Sequence, residues 1–460
     1  MAICLAWLWS AMLIGAQPIE ATITIGRPHG AVRKLLGVNA GPLVFNGRER
    51  FDLTAQYRRY GVAQVRTHDY YGPLDMAVMY PNQEADPDSP TSYNFAESDR
   101  AFRAILDGGF EPYLRIGDSW NIGPEFGRIR RRAPANRANW VRAAVHVVRR
   151  YRDMAGDRLR YVEVWNEPNH PTFWDSTPDA FVPLFVETVR AIKTAFPMLK
   201  VGGPGMAHSA AVLPRGRSAL TVFLQGIAGR CRPDFFSWHI YSNRPEQYRE
   251  IARFYRAELD RCGFKGMPQH VTEYHTDERE RPEGLNMVAL RVGSAGAAIV
   301  TASWIAMQME GIEEATLYRG SDVAPDQTTF YGMLRSDGTP KGPGLAFEFW
   351  SRLAATRERL DVAVGGADTR TLWCLAGRTD KGAVRMLIAN TGRTPVRWTL
   401  RLPAAQSSPG MTIEEIRNDG VRPAMLKAPG LRAMTPGYTA QLVTIEGAGS
   451  GPAPVGSVVR

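Results

Sequence analysis

The sequence predicts an α/β fold, a (β/α)8 (TIM) barrel carrying a smaller C-terminal antiparallel β-sandwich. Three observations carry that expectation. From residue 35 to about 350, short β-branched or aromatic runs alternate with longer helical patterns, the rhythm of βαβ units and a parallel sheet. Eight such runs can be read, which is the strand count that closes a barrel. After Leu353 the texture changes to short alternating runs broken by Gly, Pro, Asn and Asp, which suits a small sandwich.

Taken in chain order, Ile3–Ala16 is an apolar stretch of the size of a signal-peptide core and too short to span a bilayer. It lacks a basic start, since the first arginine is Arg27. Residues 1–21 are expected to be a leader cleaved after Ala16 or Ala21, with the chain secreted or periplasmic and no stable membrane insertion. The strand Ala21–Ile25 has no partner in a barrel and suits the later sheet. The barrel is placed at residues 22–353, with strands Leu35–Asn39, Val62–Arg66, Pro112–Ile116, Tyr161–Trp165, Leu199–Gly203, Asp234–Ile240, Gln269–Glu273 and Glu314–Tyr318. Helical patterns such as Asn139–Arg152, Thr177–Phe196, Pro245–Cys262 and Leu285–Met309 lie between them. A doubly wound open sheet would instead need a Gly-rich phosphate turn after its first strand. Gly37-Val38-Asn39-Ala40-Gly41 does not supply one. The β-sandwich is placed at 354–446, and the Gly/Pro/Ser-rich tail 447–460 reads as disordered.

Composition narrows the function classes. A hydrophobic share of 44% is that of a globular protein, neither disordered nor membrane-embedded. Net charge is +10, but the basic residues are scattered. The runs Arg128–Arg132 and Arg149–Arg152 sit in no zinc-finger, homeodomain or RNP signature, so a nucleic-acid partner is not expected. The same field would suit anionic polymers, acidic polysaccharides among them. Cys231 and Cys262 each precede a barrel strand, and either a disulfide or two free thiols fits that placement. No Cys/His cluster has metal-ligand spacing, so neither metal nor cofactor is implied.

Polar residues at the C-terminal ends of barrel strands are the ones to read as catalytic. The fourth strand ends in Asn166-Glu167-Pro168-Asn169 and the seventh in Thr272-Glu273-Tyr274, which delivers two carboxylates to one rim. Glycoside cleavage requires such a pair, one protonated to assist the leaving oxygen and one ionised to meet an oxocarbenium-like centre. Arg66, ending strand two, can hold a carboxylate ionised. His239 and Tyr241 alternate with an apolar residue on strand six and so share an inward face. His68 lies near the same rim, and Trp120, Trp174 and Tyr318 are candidate sugar platforms.

Trp165-Asn166-Glu167-Pro168-Asn169, Thr272-Glu273-Tyr274, Arg66-Thr67-His68, Trp238-His239-Ile240-Tyr241 and Arg335-Ser336-Asp337-Gly338-Thr339-Pro340-Lys341 together resemble glycoside hydrolase clan A, and within it family 39. That family includes β-xylosidases, α-L-iduronidases and bacterial exopolysaccharide glycosidases, and the resemblance spans about residues 35–350. It implies Glu167 as general acid/base, Glu273 as nucleophile, Asn166 on the sugar 2-hydroxyl, Arg66 and Tyr241 orienting Glu273, and His239 lining the subsite. The eighth strand departs from the clan, ending in Tyr318-Arg319 where a Trp is often found. The implied activity is retaining cleavage of a poly- or oligosaccharide, of exopolysaccharide type, with a β-xylosidase-like exo-enzyme as the alternative. A non-catalytic polysaccharide-binding barrel would keep aromatic platforms but need not keep both carboxylates, and a transglycosylase would share every residue named.

Overall fold

A computed structural model describes residues 17–46, 49–119, 133–282, 284–366, 368–402, 410–426 and 431–446. Trp120, the run Arg128–Arg132 and the tail 447–460 lie outside the described residues, as do the first sixteen positions of the expected leader.

The first strand, β1 (Ile19–Pro28), is followed by β2 (Gly37–Asn39) and a hairpin of β3 (Leu43–Asn46) and β4 (Glu49–Asp52). Helix α1 (Thr54–Arg59), β5 (Gln64–Arg66), α2 (Met76–Met79), α3 (Ala96–Asp107), β6 (Glu111–Ile116), α4 (Arg137–Ala155) and β7 (Tyr161–Val164) come next. The chain continues through α5 (Pro178–Ala195), β8 (Lys200–Met206), α6 (Ser209–Val212), α7 (Pro214–Ile227), β9 (Phe236–Tyr241), α8 (Pro245–Arg261) and β10 (Gln269–His275). Helices α9 (Met287–Arg291) and α10 (Ser294–Met309), strand β11 (Glu314–Leu317) and helix α11 (Gly342–Ala354) complete this part. Strands β2, β5 to β10 and β11 close into one parallel barrel, so all eight expected strands are present with ends moved by a few residues.

Local sequence explains the helices that wrap it. In α4 the buried residues Trp140, Ala144, Val147, Val148, Tyr151 and Ala155 recur at helical spacing. The Asn136 side chain caps the helix by accepting from the Asn139 amide at 3.1 Å. Helix α10 is different: it is apolar all round, and Ala295 to Gln308 are buried without a break. Such a helix must be covered on every side. It lies between the barrel and the second sheet, and its Trp304 indole stacks on Trp350 of α11 at 5.2 Å.

That second sheet is built from β12 (Glu358–Gly365), β13 (Leu372–Arg378), β14 (Val384–Asn390), β15 (Val396–Arg401), β16 (Met411–Arg417), β17 (Gly420–Leu426), β18 (Arg432–Thr435) and β19 (Thr439–Ile445). It is one curled nine-stranded sheet, order β17-β16-β19-β14-β13-β12-β1-β15-β18, rather than two separate layers. Strand β1 sits inside it, antiparallel to β12 and parallel to β15. Residues 22–28, placed in the barrel by the boundary at 22, therefore belong to the sheet. The sheet's two faces have different neighbours. Trp373, Leu375, Leu387 and Ala389 join the barrel-side core, whereas Cys374, Ala376, Met386, Ile388 and Trp398 fill the inside of the curl. Cys231 and Cys262 are free thiols, both half-buried, so the structure takes the unbridged alternative. No helix among the described residues is long and apolar enough to cross a membrane.

Ile23, fully buried in the middle of this curl, tests the docking of β1. Ile23→Ala is expected to cost about 2–5 kcal/mol, read as a lower midpoint in guanidinium denaturation. An unchanged midpoint would mean that β1 contributes nothing to the sheet core.

Candidate active site

The barrel interior is layered from bottom to top. At the bottom, Tyr113, Tyr161, Phe235 and His270 form an aromatic plug, with His270 stacked on Phe235 at 4.2 Å and its Nδ1 2.9 Å from the Tyr113 hydroxyl. Above it the lumen turns polar. Glu163 of β7 accepts from Ser237 at 2.6 Å and Thr272 at 2.8 Å through Oε1, and from Arg66 Nε at 2.6 Å through Oε2. The rest of the Arg66 guanidinium spreads to three further acceptors. Nη1 donates to Asn39 Oδ1 at 2.8 Å and to Glu273 Oε1 at 2.9 Å, and Nη2 donates to Asn166 Oδ1 at 2.7 Å. Burial works against the charge on Arg66, but Glu163 and Glu273 outweigh it and hold the guanidinium more firmly protonated than usual.

Two backbone irregularities bring the carboxylates to the mouth. Trp165 adopts φ 79° and Glu167 φ 49°, a left-handed backbone that costs a non-glycine residue about 1–3 kcal/mol. The Trp165 ring packs outward on Trp140, Trp174 and Phe181, and the chain then turns Asn166 and Glu167 to the lumen. In β10 the register against β9 shifts between Val271 and Glu273. The shift lets neighbouring Thr272 and Glu273 both face inward, which strict alternation forbids. A close approach also dictates Gly205: a Cβ there would sit 3.0 Å from His239 Nε2.

Glu273 is held by two donor groups, with a third polar group close by. Besides Arg66, the Tyr241 hydroxyl donates to Oε2 at 2.9 Å, and His68 Nε2 lies 3.2 Å from Oε1. Burial pushes its carboxyl up to about 7, against the opposing pull of Arg66 and Tyr241. Glu167 has no such support. Its partner is His239, whose Nδ1 is 2.7 Å from Oε1. Burial first, and then the nearby Glu273, push the Glu167 carboxyl well above its ordinary range. Of the two, Glu273 therefore ionises first and Glu167 retains its proton. Burial also holds His68 and His239 neutral, with Arg66 adding to the effect.

One oxygen of each carboxylate and a ring nitrogen of His239 lie within 4.8 Å of one another, the only such trio among the described residues with metal-ligand spacing. Both oxygens of Glu273 are already taken up by cationic or hydroxyl donors, and Arg66 supplies the positive charge a metal would bring. The site thus reads as a carboxylate pair. Asn166 Nδ2 is buried without a partner among the described residues, a donor left over for a ligand hydroxyl.

The sequence expectations divide as follows. Arg66, His68, Asn166, Glu167, His239, Tyr241 and Glu273 all meet here. Tyr318 is close by but buried, its hydroxyl donating to Asp69 at 2.8 Å. Trp174 is no platform: it is buried edge-on against Trp165 and its indole N–H donates to the Thr177 carbonyl. Trp120 lies outside the described residues. Asn39 and Glu163 were not anticipated, nor was Tyr331, whose ring lies 5.6 Å from that of Tyr241. A lone acid in Tyr161-Val162-Glu163-Val164 was the available signal for Glu163, whereas nothing marked Tyr331.

Residues 33–258 match the model of glycosyl hydrolases family 39. The match spans just under half of this chain, which is therefore similar to that family. A β-xylosidase of Geobacillus stearothermophilus is 29% identical to this chain over 257 residues, 47% of each protein. A second β-xylosidase, from Caldicellulosiruptor saccharolyticus, is 26% identical over 42% of this chain and 41% of its own length. The chain thus spans just under half the length of the curated relatives it matches. A glucosidase structure from Croceicoccus marinus superposes with a TM-score of 0.73 at 23% identity, over 94% of this chain and 100% of that one. The family 39 enzyme structure from Xanthomonas axonopodis pv. citri gives 0.68 at 18% identity, over 96% and 100%. At these identities the structures speak for the fold.

The raised Glu167 carboxyl has a cost that can be measured without substrate. A folded-state pKa above the ordinary 4.5 means stability that is complete below that value and is lost as pH rises through the elevated one. Glu167→Gln keeps the contact to His239 and removes the ionisation. The variant is expected to melt about 2 °C or more above the native chain at pH 8 and level with it at pH 4, by calorimetry. Equal melting at both values would show that Glu167 is not forced to hold its proton.

Proposed function

We propose that this chain is a retaining O-glycoside hydrolase that acts by double displacement. The separation of the carboxylates carries the reading. Oxygens within 4.8 Å suit direct attack on the sugar, since an inverting pair stands about 6.5–9.5 Å apart to admit water. In the first step a Glu273 oxygen bonds to the anomeric carbon as the glycosidic C–O bond breaks, and the departing oxygen takes the proton of Glu167. In the second, Glu167 removes a proton from water, water oxygen bonds to the same carbon, and Glu273 leaves as carboxylate. The centre inverts twice and its configuration is kept. Asn166 Nδ2 is the donor available to a hydroxyl of the bound sugar.

Two substrate readings follow. The expected leader and the basic charge favour an acidic exopolysaccharide, and the curated relatives named β-xylosidase favour a β-xyloside. A purely binding role would not require a carboxylate held by Arg66 and Tyr241 beside an acid kept protonated. The leader is proposed to end at Ala16, because a cut after Ala21 would remove Ile19, Glu20 and Ala21, which pair with Val396, Arg397 and Trp398.

A panel of aryl glycosides, xylo-oligosaccharides and bacterial polysaccharides tests this reading, with product configuration followed by NMR. Retention is expected, with Glu167→Gln and Glu273→Gln each lowering turnover of natural substrates by about three orders of magnitude or more. Full activity in both variants would remove the site from the mechanism. The pH profile of kcat/KM should be bell-shaped. Its acidic limb reports Glu273, pushed up to about 7, since activity is lost as that carboxylate takes up a proton. Its alkaline limb reports Glu167, which must keep its proton. With an activated aryl leaving group, Glu167→Gln should abolish the alkaline limb of the first step and spare the acidic one. An alkaline limb that survives would assign it to another group.

A further inference from the structure

The eighth strand leads into a loop whose position is fixed with unusual economy. Tyr331 accepts the Arg319 amide through its carbonyl at 3.0 Å, and Met333 returns a bond to the Arg319 carbonyl at 2.9 Å. Beneath this turn Lys341 Nζ pairs with Asp322 at 2.5 Å and donates to the Phe330 carbonyl at 3.1 Å, both charges being buried. Around the side chain so presented, Tyr331, stand the steeply inclined rings of Tyr241 at 5.6 Å, Tyr318 at 5.3 Å and His275 at 5.6 Å. Tyr241 is the residue whose hydroxyl bonds Glu273.

One face of the Tyr331 ring is covered by a cation of an uncommon kind. The Arg291 guanidinium carbon lies 3.6 Å from the ring centroid, and the residue is only 1% exposed. Arg291 Nη1 donates to His275 Nδ1 at 2.9 Å, and that nitrogen also accepts the Thr276 amide at 2.8 Å, so it carries no proton. Arg291 Nε and Nη2 have no partner among the described residues, and no carboxylate pairs with the guanidinium there. The neighbouring buried cations are not left so: Arg319 has Asp69 and Lys341 has Asp322. A buried, uncompensated charge opposes folding unless something else requires it. What Arg291 does have is the π-face of Tyr331, which it braces from behind.

Tyr331 is half-buried, as is Tyr241, whereas Tyr318 is buried, and the Tyr331 hydroxyl has no hydrogen-bond partner among the described residues. With one face taken by Arg291, the exposed part of Tyr331 is what remains for a ligand to meet. We propose that Tyr331 is a substrate-contacting, specificity-determining residue that receives the apolar face of the sugar bound over Glu273, and that Arg291 is a positioning residue that sets its plane. This assignment rests on the hydrolase reading above. It gives the wall left vacant by the eighth strand's Tyr318-Arg319 to a residue on the following loop.

The test uses the full-length protein and the aryl glycoside it cleaves fastest, with Glu273→Gln as the control for the site. Tyr331→Ala should raise KM about tenfold, the worth of a lost aromatic face, with kcat changed much less. Tyr331→Phe, which keeps the ring, should restore KM to within about threefold of the native value. Arg291→Met should raise KM in the same direction without lowering the melting temperature, because it removes an unpaired buried charge. A structural role alone would lower melting temperature and leave KM in place. Native KM in Tyr331→Ala, with Glu273→Gln inactive, would overturn the assignment and leave the hydrolase reading standing. Full activity in Glu273→Gln, or no cleavage by the native chain, would sink that reading and this assignment with it.

Discussion

One buried guanidinium organises this barrel. Arg66 has no surface, yet its three nitrogens reach Glu163, Asn39, Asn166 and Glu273, on or just after strands β7, β2, β7 and β10. A lone cation there would be prohibitively costly, and either carboxylate alone would be as well. Together they satisfy one another, so the geometry of Glu273, the proposed nucleophile, is inherited from a structural ion network rather than set locally. Glu163 anchors the other side: Ser237 and Thr272 fix its orientation, and it fixes Arg66 in turn.

The same burial that makes these contacts strong sets the chemistry apart on two nearly adjacent acids. Both carboxyls are pushed upward by loss of water, but only Glu273 receives compensation from Arg66 and Tyr241. Glu167 faces a neutral imidazole and a negative neighbour. The asymmetry of donors, not any difference between two glutamates, makes one a carboxylate and the other an acid. The strained backbone at Trp165 and Glu167 belongs with this arrangement, since it puts Asn166 and Glu167 on one side of the chain.

Much of this was legible in the sequence because period and position carry it. Eight alternating runs announced the barrel, and the carboxylates announced themselves by standing at strand ends. Arg66 followed from its place at the end of strand two, and His239 and Tyr241 from the period-two rule. What that rule hides is where it breaks. The register shift in β10 turns Thr272 and Glu273 to the same side, and the left-handed Trp165 sends its ring to the helices. Trp174 could not be told from a platform because aromatic residues serve cores and sugars alike, and here it packs on Trp165 and Phe181. Tyr331 was out of reach for a different reason: its place depends on a loop folded back by Lys341 and Asp322, a contact between positions with no periodic relation. Likewise β1 revealed itself as an unpartnered strand, but its parallel pairing with β15 joins residues nearly four hundred positions apart, and only the folded chain fixes that register.

The account stands on Glu273 as the atom-bonding nucleophile. A 2-deoxy-2-fluoro glycoside with a good leaving group slows both steps, and more so the second, so the glycosyl-enzyme accumulates. Intact mass followed by peptide mapping should then find one added sugar, on Glu273 within Gln269–His275. A label on any other residue, or full turnover with inverted product and no adduct, would contradict the account at its centre.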